Sequence, residues 1–265
     1  MTGFRRVQIV GEGQPVVFLH GWSAHGDFFS AQKPLAGRGV QLVMPDLPGH
    51  GPEALADARL TIADLSAALA AEITARRLER PVLVGWSMGA SVAFDYLSRP
   101  DAVPVAGLVI IDMTPKVAND ATWRRGLANG QSAADMLRAA DEMQHNWAAF
   151  APRIAKALFA RGSTPDPAAL KLANEAFAAN DPATMASLWR SLAMTDYRDL
   201  LARLPIPVLA ILGEKSRLYA PDLAEWYQTQ RGVSVSRIAE AGHAPQIEQP
   251  ARFNARLMDF LATLG

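Results

Sequence analysis

Short apolar runs and longer amphipathic ones take turns along the chain. The apolar runs lie at 16–19, 41–44 and 82–84, then at 107–111, 208–212 and 234–238, several of them directly behind a proline or glycine. They are rich in Val, Ile and Leu, and most are apolar throughout rather than alternating. That is the pattern of strands covered on both faces. Segments with helical spacing, such as 60–77, separate them, so the order predicts a wound, mostly parallel sheet flanked by helices.

The rhythm breaks between 113 and 204, where Ala, Leu, Arg and Met recur at helical spacing without a convincing strand. Gly162-Ser163-Thr164-Pro165 and Pro182 punctuate this stretch, which predicts several short helices rather than one long one. The expected organisation is a core of residues 1–112 and 205–265 with a helical cap subdomain at 113–204. Ligands bind beyond the carboxyl ends of such strands, so a cap there would cover a site. A purely structural helical layer is the plainer alternative.

Composition narrows the function classes. Half of the 265 residues are apolar, enough for one full core carrying an insertion. Lys plus Arg and Asp plus Glu each total 26, so no net field draws the chain to nucleic acid or to an anionic membrane. With no cysteine, a disulfide framework, a thiolate metal site and a cysteine nucleophile are all excluded. Residues 1–15 lack the apolar stretch of a secretory signal, and no later run reaches membrane-spanning length. The chain reads as soluble and cytoplasmic, with neither nucleic acid nor membrane as partner.

The candidate chemistry begins after the run at 82–84. Gly85-Trp86-Ser87-Met88-Gly89 leads into Ala90-Ser91-Val92-Ala93-Phe94, which reads as the opening of a helix. A serine in a sharp strand-to-helix turn exposes its hydroxyl, and the flanking glycines are needed because side chains there would strike neighbouring backbone. The string alone is weak evidence, but strand before and helix after make it strong. Ser87 is the expected nucleophile. Its base must lie downstream in a triad of this order, leaving His145 and His243. His145 falls in the helical stretch, whereas His243 follows the last strand in the glycine-relaxed loop Glu240-Ala241-Gly242-His243-Ala244-Pro245. His243 is the expected base; His20, His25 and His50 read as loop or surface residues.

These motifs, with His20-Gly21-Trp22 after the first apolar run, Asp46-Leu47-Pro48-Gly49-His50-Gly51, Glu248 and Pro250, resemble the α/β-hydrolase superfamily over nearly the whole chain. The resemblance implies an α/β-hydrolase fold with a helical cap inserted after the sixth strand. It also implies an oxyanion hole built from the backbone N–H groups of Trp22 and Met88, and a structural role for Asp46. Trp22, Trp86 and Met88 are the candidate substrate-binding side chains, although each is also an ordinary core residue.

At one position the chain departs from the superfamily's pattern. The triad acid commonly stands three residues beyond the glycine that here is Gly213, and that position is Ser216. A hydroxyl cannot stabilise an imidazolium as a carboxylate does. Asp112, Glu214 and Asp222 are the candidates, and Asp112, directly after the run at 107–111, is preferred by resemblance to members that place their acid after this neighbouring strand.

No metal-ligand spacing, phosphate loop or dinucleotide fingerprint is present, so neither metal nor cofactor is expected. Serine at the elbow favours acyl transfer over the aspartate-based chemistry of dehalogenases and epoxide hydrolases. The resemblance extends to small carboxylesterases, among them the pimeloyl-acyl-carrier-protein methyl ester esterases, and implies hydrolysis of a carboxylic ester. An ester carried on an acyl carrier protein, or a thioester, stays open as an alternative. Arg124, Arg125, Arg138 and Lys156 would serve such an acidic carrier if they faced one side; solvated helix faces are the plainer reading. A non-catalytic ligand sensor is the alternative of another class, but a poised nucleophile has no use there.

Overall fold

A computed structural model describes residues 3–57 and 59–265. Each apolar run becomes a strand: β2 (Gln14–Leu19), β3 (Val40–Pro45), β4 (Val82–Trp86), β5 (Gly107–Ile111), β6 (Val208–Gly213) and β7 (Val233–Ile238). A seventh, β1 (Val7–Val10), was not legible as an apolar run, because Val7-Gln8-Ile9-Val10 is short, alternates and is only half covered. The sheet order is β1-β3-β2-β4-β5-β6-β7, with β1 antiparallel to β3 and all other pairs parallel. All five residues of β4 and of β5 are buried, which is why these strands read as apolar without alternation.

Helices α1 (Ile62–Ala75), α2 (Met88–Ser98), α8 (Asp222–Gln228), α9 (Pro245–Glu248) and α10 (Pro250–Leu261) accompany the sheet. Helix α1 starts at a capping box in which the side chains of Thr61 and Asp64 each accept the other residue's backbone N–H, an arrangement that stabilises a helix end by about 1 kcal/mol.

Between β5 and β6 lie α3 (Ala133–His145), α4 (Trp147–Ala157), α5 (Pro167–Ala179), α6 (Pro182–Ala193) and the single turn α7 (Arg198–Leu201). The strand that precedes them is the fifth of this sheet, not the sixth, because no described strand lies ahead of β1. Helices α5 and α6 share one start signal, an N-cap aspartate followed by proline: Asp166-Pro167 and Asp181-Pro182. The carboxylate takes the free N–H groups of the first turn, and proline loses nothing at a position with no intrahelical donor to make. None of the described helices is long and apolar enough to cross a membrane.

Candidate active site

Strand register places the chemistry. Trp86 pairs with Ile111 across β4 and β5, and Ile111 with Ile211 across β5 and β6. The next residues, Ser87 and Asp112, therefore leave adjacent strands side by side. The ladder runs one step beyond the strands to hold them, with Ser87 N–H donating to the Ile111 carbonyl at 3.0 Å and Asp112 N–H to the Ile211 carbonyl at 2.8 Å.

Both residues sit in strained backbone. Ser87 has φ 52° and Asp112 φ 40°, in the left-handed region that costs a side-chain-bearing residue about 1–3 kcal/mol. At Ser87 the strain produces a turn tight enough to start α2 at Met88, and Ser87 remains part-exposed. The turn leaves no room for side chains on its flanks. A Cβ on Gly89 would lie 2.0 Å from the Leu19 carbonyl oxygen, and one on Gly85 2.5 Å from the Ala90 nitrogen. The loop after β2 also lies against the serine, since a Cβ on Gly21 would come within 3.2 Å of Ser87 Cβ. Met88 is the first helical residue of α2, a position whose N–H has no intrahelical acceptor, and Trp22 follows Gly21 on the opposing loop.

His243 is buried, and its Nδ1 is 2.7 Å from Asp112 Oδ2. Of the three carboxylate candidates, Asp112 is thus the one bonded to the imidazole. Asp222 instead pairs with Arg125 at 3.0 Å, and Glu214 lines, together with Asp112, a cavity of about 260 Å³. Ser216 is buried too, and its hydroxyl donates to Asp112 Oδ2 at 2.7 Å. Asp112 Oδ1 accepts from Gly213 N–H at 3.1 Å. His145 is exposed on α3, with Nδ1 2.7 Å from the Asp141 carbonyl.

The His243 loop is fixed from three directions. Its own N–H and that of Ala244 donate to the Leu158 carbonyl at 2.8 and 3.2 Å. The Glu248 carboxylate accepts from Gly242 N–H and from Ala160 N–H, both at 2.6 Å, and burial pushes its carboxyl above the ordinary glutamate value. The third support comes from Trp86, whose indole N–H donates to the His243 carbonyl at 2.7 Å. This corrects the expectation that Trp86 lines the substrate site. Its ring is 1% exposed, stacked on Phe28 at 5.5 Å, and its one polar atom is committed to the loop. Met88 is likewise fully buried.

Trp22 reaches into the insertion, donating its indole N–H to the Met185 carbonyl at 3.0 Å and packing against Trp147, Trp189 and Phe177. Asn180 of the insertion donates to the Ser23 carbonyl at 2.9 Å. Neither contact carries a sequence signal, because both partners are backbone carbonyls. His20 and His50 are braces. Leu47 N–H donates to His20 Nε2 at 2.8 Å, which leaves Nδ1 to donate to the Gly21 carbonyl at 2.9 Å. Burial holds both imidazoles neutral, lowering each to about 3. Asp46 accepts from Gly26 N–H at 2.7 Å and pairs with Arg6 at 3.2 Å, organising the loops behind the site.

A strained serine at a strand-to-helix turn, beside a buried carboxylate and imidazole at the carboxyl edge of a parallel sheet, defines an α/β-hydrolase. The chain belongs to the alpha/beta hydrolase family, whose sequence profile matches residues 16–256. Among curated proteins it is similar to the pimeloyl-acyl-carrier-protein methyl ester esterase of Methylococcus capsulatus, at 28% identity over 97% of this chain and 98% of that one. A protein of the same name from Aromatoleum aromaticum is 32% identical over 89% of this chain and 93% of its own. Among solved structures, an esterase from Exiguobacterium antarcticum superposes with a TM-score of 0.86 at 22% identity, covering 97% of this chain and 94% of that one, a likeness of fold.

Proposed function

We propose that the protein is a serine carboxylesterase in which Ser87 is the nucleophile, His243 the base and Asp112 the acid. The observation that carries this reading is the buried 2.7 Å contact between His243 Nδ1 and Asp112 Oδ2, on a carboxylate that leaves the sheet beside Ser87. The carboxylate holds the imidazole in the tautomer with the proton on Nδ1, leaving Nε2 free to take the Ser87 proton. Ser87 Oγ then attacks the acyl carbon, and the backbone N–H groups of Trp22 and Met88 receive the oxyanion. The C–O bond to the leaving group breaks as His243 returns the proton to the departing alcohol. Water, deprotonated by His243, attacks the acyl-enzyme, and the tetrahedral adduct collapses to free acid and Ser87.

The insertion at 113–204 acts as a cap. Its contacts with Trp22 and Ser23 and the aromatic cluster around Trp22 support an apolar acyl pocket between cap and core. A second reading, a methyl ester carried on an acyl carrier protein, is favoured by the names of the two curated relatives. Two of the four cap cations weighed for such a carrier are engaged within the chain, Arg125 with Asp222 and Arg138 with Asp135, while Arg124 and Lys156 are exposed.

The test is hydrolysis of p-nitrophenyl esters from acetate to decanoate by the wild type and by Ser87→Ala. Turnover that disappears with Ser87 is expected; turnover that survives in Ser87→Ala would sink the proposal. Purified methyl pimeloyl carrier protein, added as a substrate, separates the two readings. A kcat/KM for it far above that for any free ester selects the carrier-bound ester.

A further inference from the structure

We infer that Ser216 is a positioning residue for Asp112, its hydroxyl holding the carboxylate in the orientation that presents Oδ2 to His243. The inference rests on the proposed roles of Asp112 and His243 and adds a residue to them.

Asp112 has reason to move. It is 1% exposed, its φ of 40° is unfavourable for a side-chain-bearing residue, and it lines the cavity of about 260 Å³. A buried carboxylate stays charged and in place only when donors surround it. Oδ1 has the Gly213 N–H at 3.1 Å. Oδ2 receives both the Ser216 hydroxyl at 2.7 Å and His243 Nδ1 at 2.7 Å. Without the hydroxyl, the oxygen that faces His243 keeps no donor except the imidazole itself.

The hydroxyl is aimed before any substrate arrives. Leu218 N–H donates to Ser216 Oγ at 3.3 Å, which occupies one lone pair and directs the hydroxyl hydrogen toward Asp112. The Ser216 backbone is pinned at both ends: its N–H donates to the Gly213 carbonyl at 3.2 Å, and its carbonyl accepts from Arg161 at 3.3 Å. The same short turn therefore supplies the donors to both carboxylate oxygens, Gly213 N–H and Ser216 Oγ–H. At the position where resemblance to the superfamily leads one to expect the acid, this chain carries a hydroxyl bonded to a carboxylate from the neighbouring strand.

The test compares wild type, Ser216→Ala, Ser216→Thr, Ser216→Val, Asp112→Asn and the double variant Asp112→Asn with Ser216→Ala, on one p-nitrophenyl ester. Removing a hydrogen bond to a charged group should lower kcat about 10-fold in Ser216→Ala, with KM within about twofold because the hydroxyl lies behind the acid. Thr and Val match in shape and differ in the hydroxyl, so kcat should recover in Ser216→Thr and stay low in Ser216→Val. That pair keeps the test decisive if the Ala variant folds poorly. In the Asp112→Asn background, loss of the hydroxyl should cost nothing further, since it acts through the carboxylate. Wild-type kcat in both Ser216→Ala and Ser216→Val, or an equal loss in the Asp112→Asn background, would overturn the inference while leaving Ser87 chemistry intact. Survival of turnover in Ser87→Ala would instead overturn the esterase reading.

Discussion

The Trp22 indole N–H donates to the Met185 carbonyl at 3.0 Å, fastening the loop after β2 to α6. The residue proposed to supply an oxyanion amide through its backbone is thereby tethered to the insertion through its side chain. Trp22→Phe keeps the backbone amide and most of the ring but removes the indole donor to the Met185 carbonyl. The expected outcome is a loss of about 1 kcal/mol in stability, read as a lower Tm, together with a several-fold rise in KM. An unchanged KM would mean that the tether has no bearing on the pocket.

Asp112→Asn should lower kcat by about a thousand-fold or more, because the amide stabilises neither the required tautomer nor the imidazolium. Glu214→Gln and Asp222→Asn should stay within about twofold of wild type, since neither side chain is bonded to His243 and Asp222 is engaged with Arg125. Steady-state kinetics on the three variants decides the matter, and a collapse in either of the latter two would move the acid away from Asp112.

Acid should weaken the fold through His20 and His50. Burial lowers each imidazole from 6.5 to about 3, so the unfolded chain binds protons that the native one refuses. The sign follows from linkage: a depressed native value contributes stability that is complete above about pH 6.5 and is lost as the pH falls toward 3. His50→Asn retains a donor toward the Pro48 carbonyl, which His50 Nδ1 approaches at 3.1 Å, and removes one titrating group. The slope of Tm against pH between 6.5 and 3 should flatten in this variant. An unaltered slope would show that His50 is not buried as the neutral ring.

Glu248 behaves in the opposite sense. Burial raises its carboxyl above 4.5, so its pH-dependent share of stability is complete below that value and is lost as the pH rises through the higher native value. Glu248→Gln removes this dependence, but it also offers an NH2 group to one of two backbone N–H donors that the carboxylate accepts at 2.6 Å. At neutral pH the variant should lose about 1–3 kcal/mol, and kcat should fall because Gly242 precedes His243. Thermal denaturation at pH 4 and pH 8 checks the stability effects, and steady-state ester hydrolysis at neutral pH checks kcat.

Most of the sheet was legible because β2 to β6 are largely buried on both faces and so read as apolar runs, whereas β7, Val233-Ser234-Val235-Ser236-Arg237-Ile238, is half-covered and showed itself by alternation. Strand β1 was not, since a half-covered edge strand of four residues leaves an alternation too brief to separate from a loop. Ser87 and His243 stand in glycine-bearing loops whose local grammar requires them. The preference for Asp112 over Glu214 and Asp222 rested on resemblance, because register between β4, β5 and β6 is a long-range property with no local signature. Trp86 was misread for a physical reason: an aromatic beside a nucleophile has the same composition whether its ring faces the ligand or the layer beneath. The hydroxyl of Ser216 was legible only as a missing carboxylate, and its bond to Asp112 needed the folded geometry.

The Leu158 carbonyl, which takes the N–H groups of both His243 and Ala244, belongs to the stretch between β5 and β6. Anyone exchanging that stretch for a relative's would also remove part of the cradle of His243, the proposed base. A chimera that keeps residues 158–160 with the sheet, and joins foreign helices ahead of them, preserves the Leu158 carbonyl and the Ala160 N–H bound by Glu248. The boundary useful for engineering therefore falls inside the helical insertion, several dozen residues before the next strand begins.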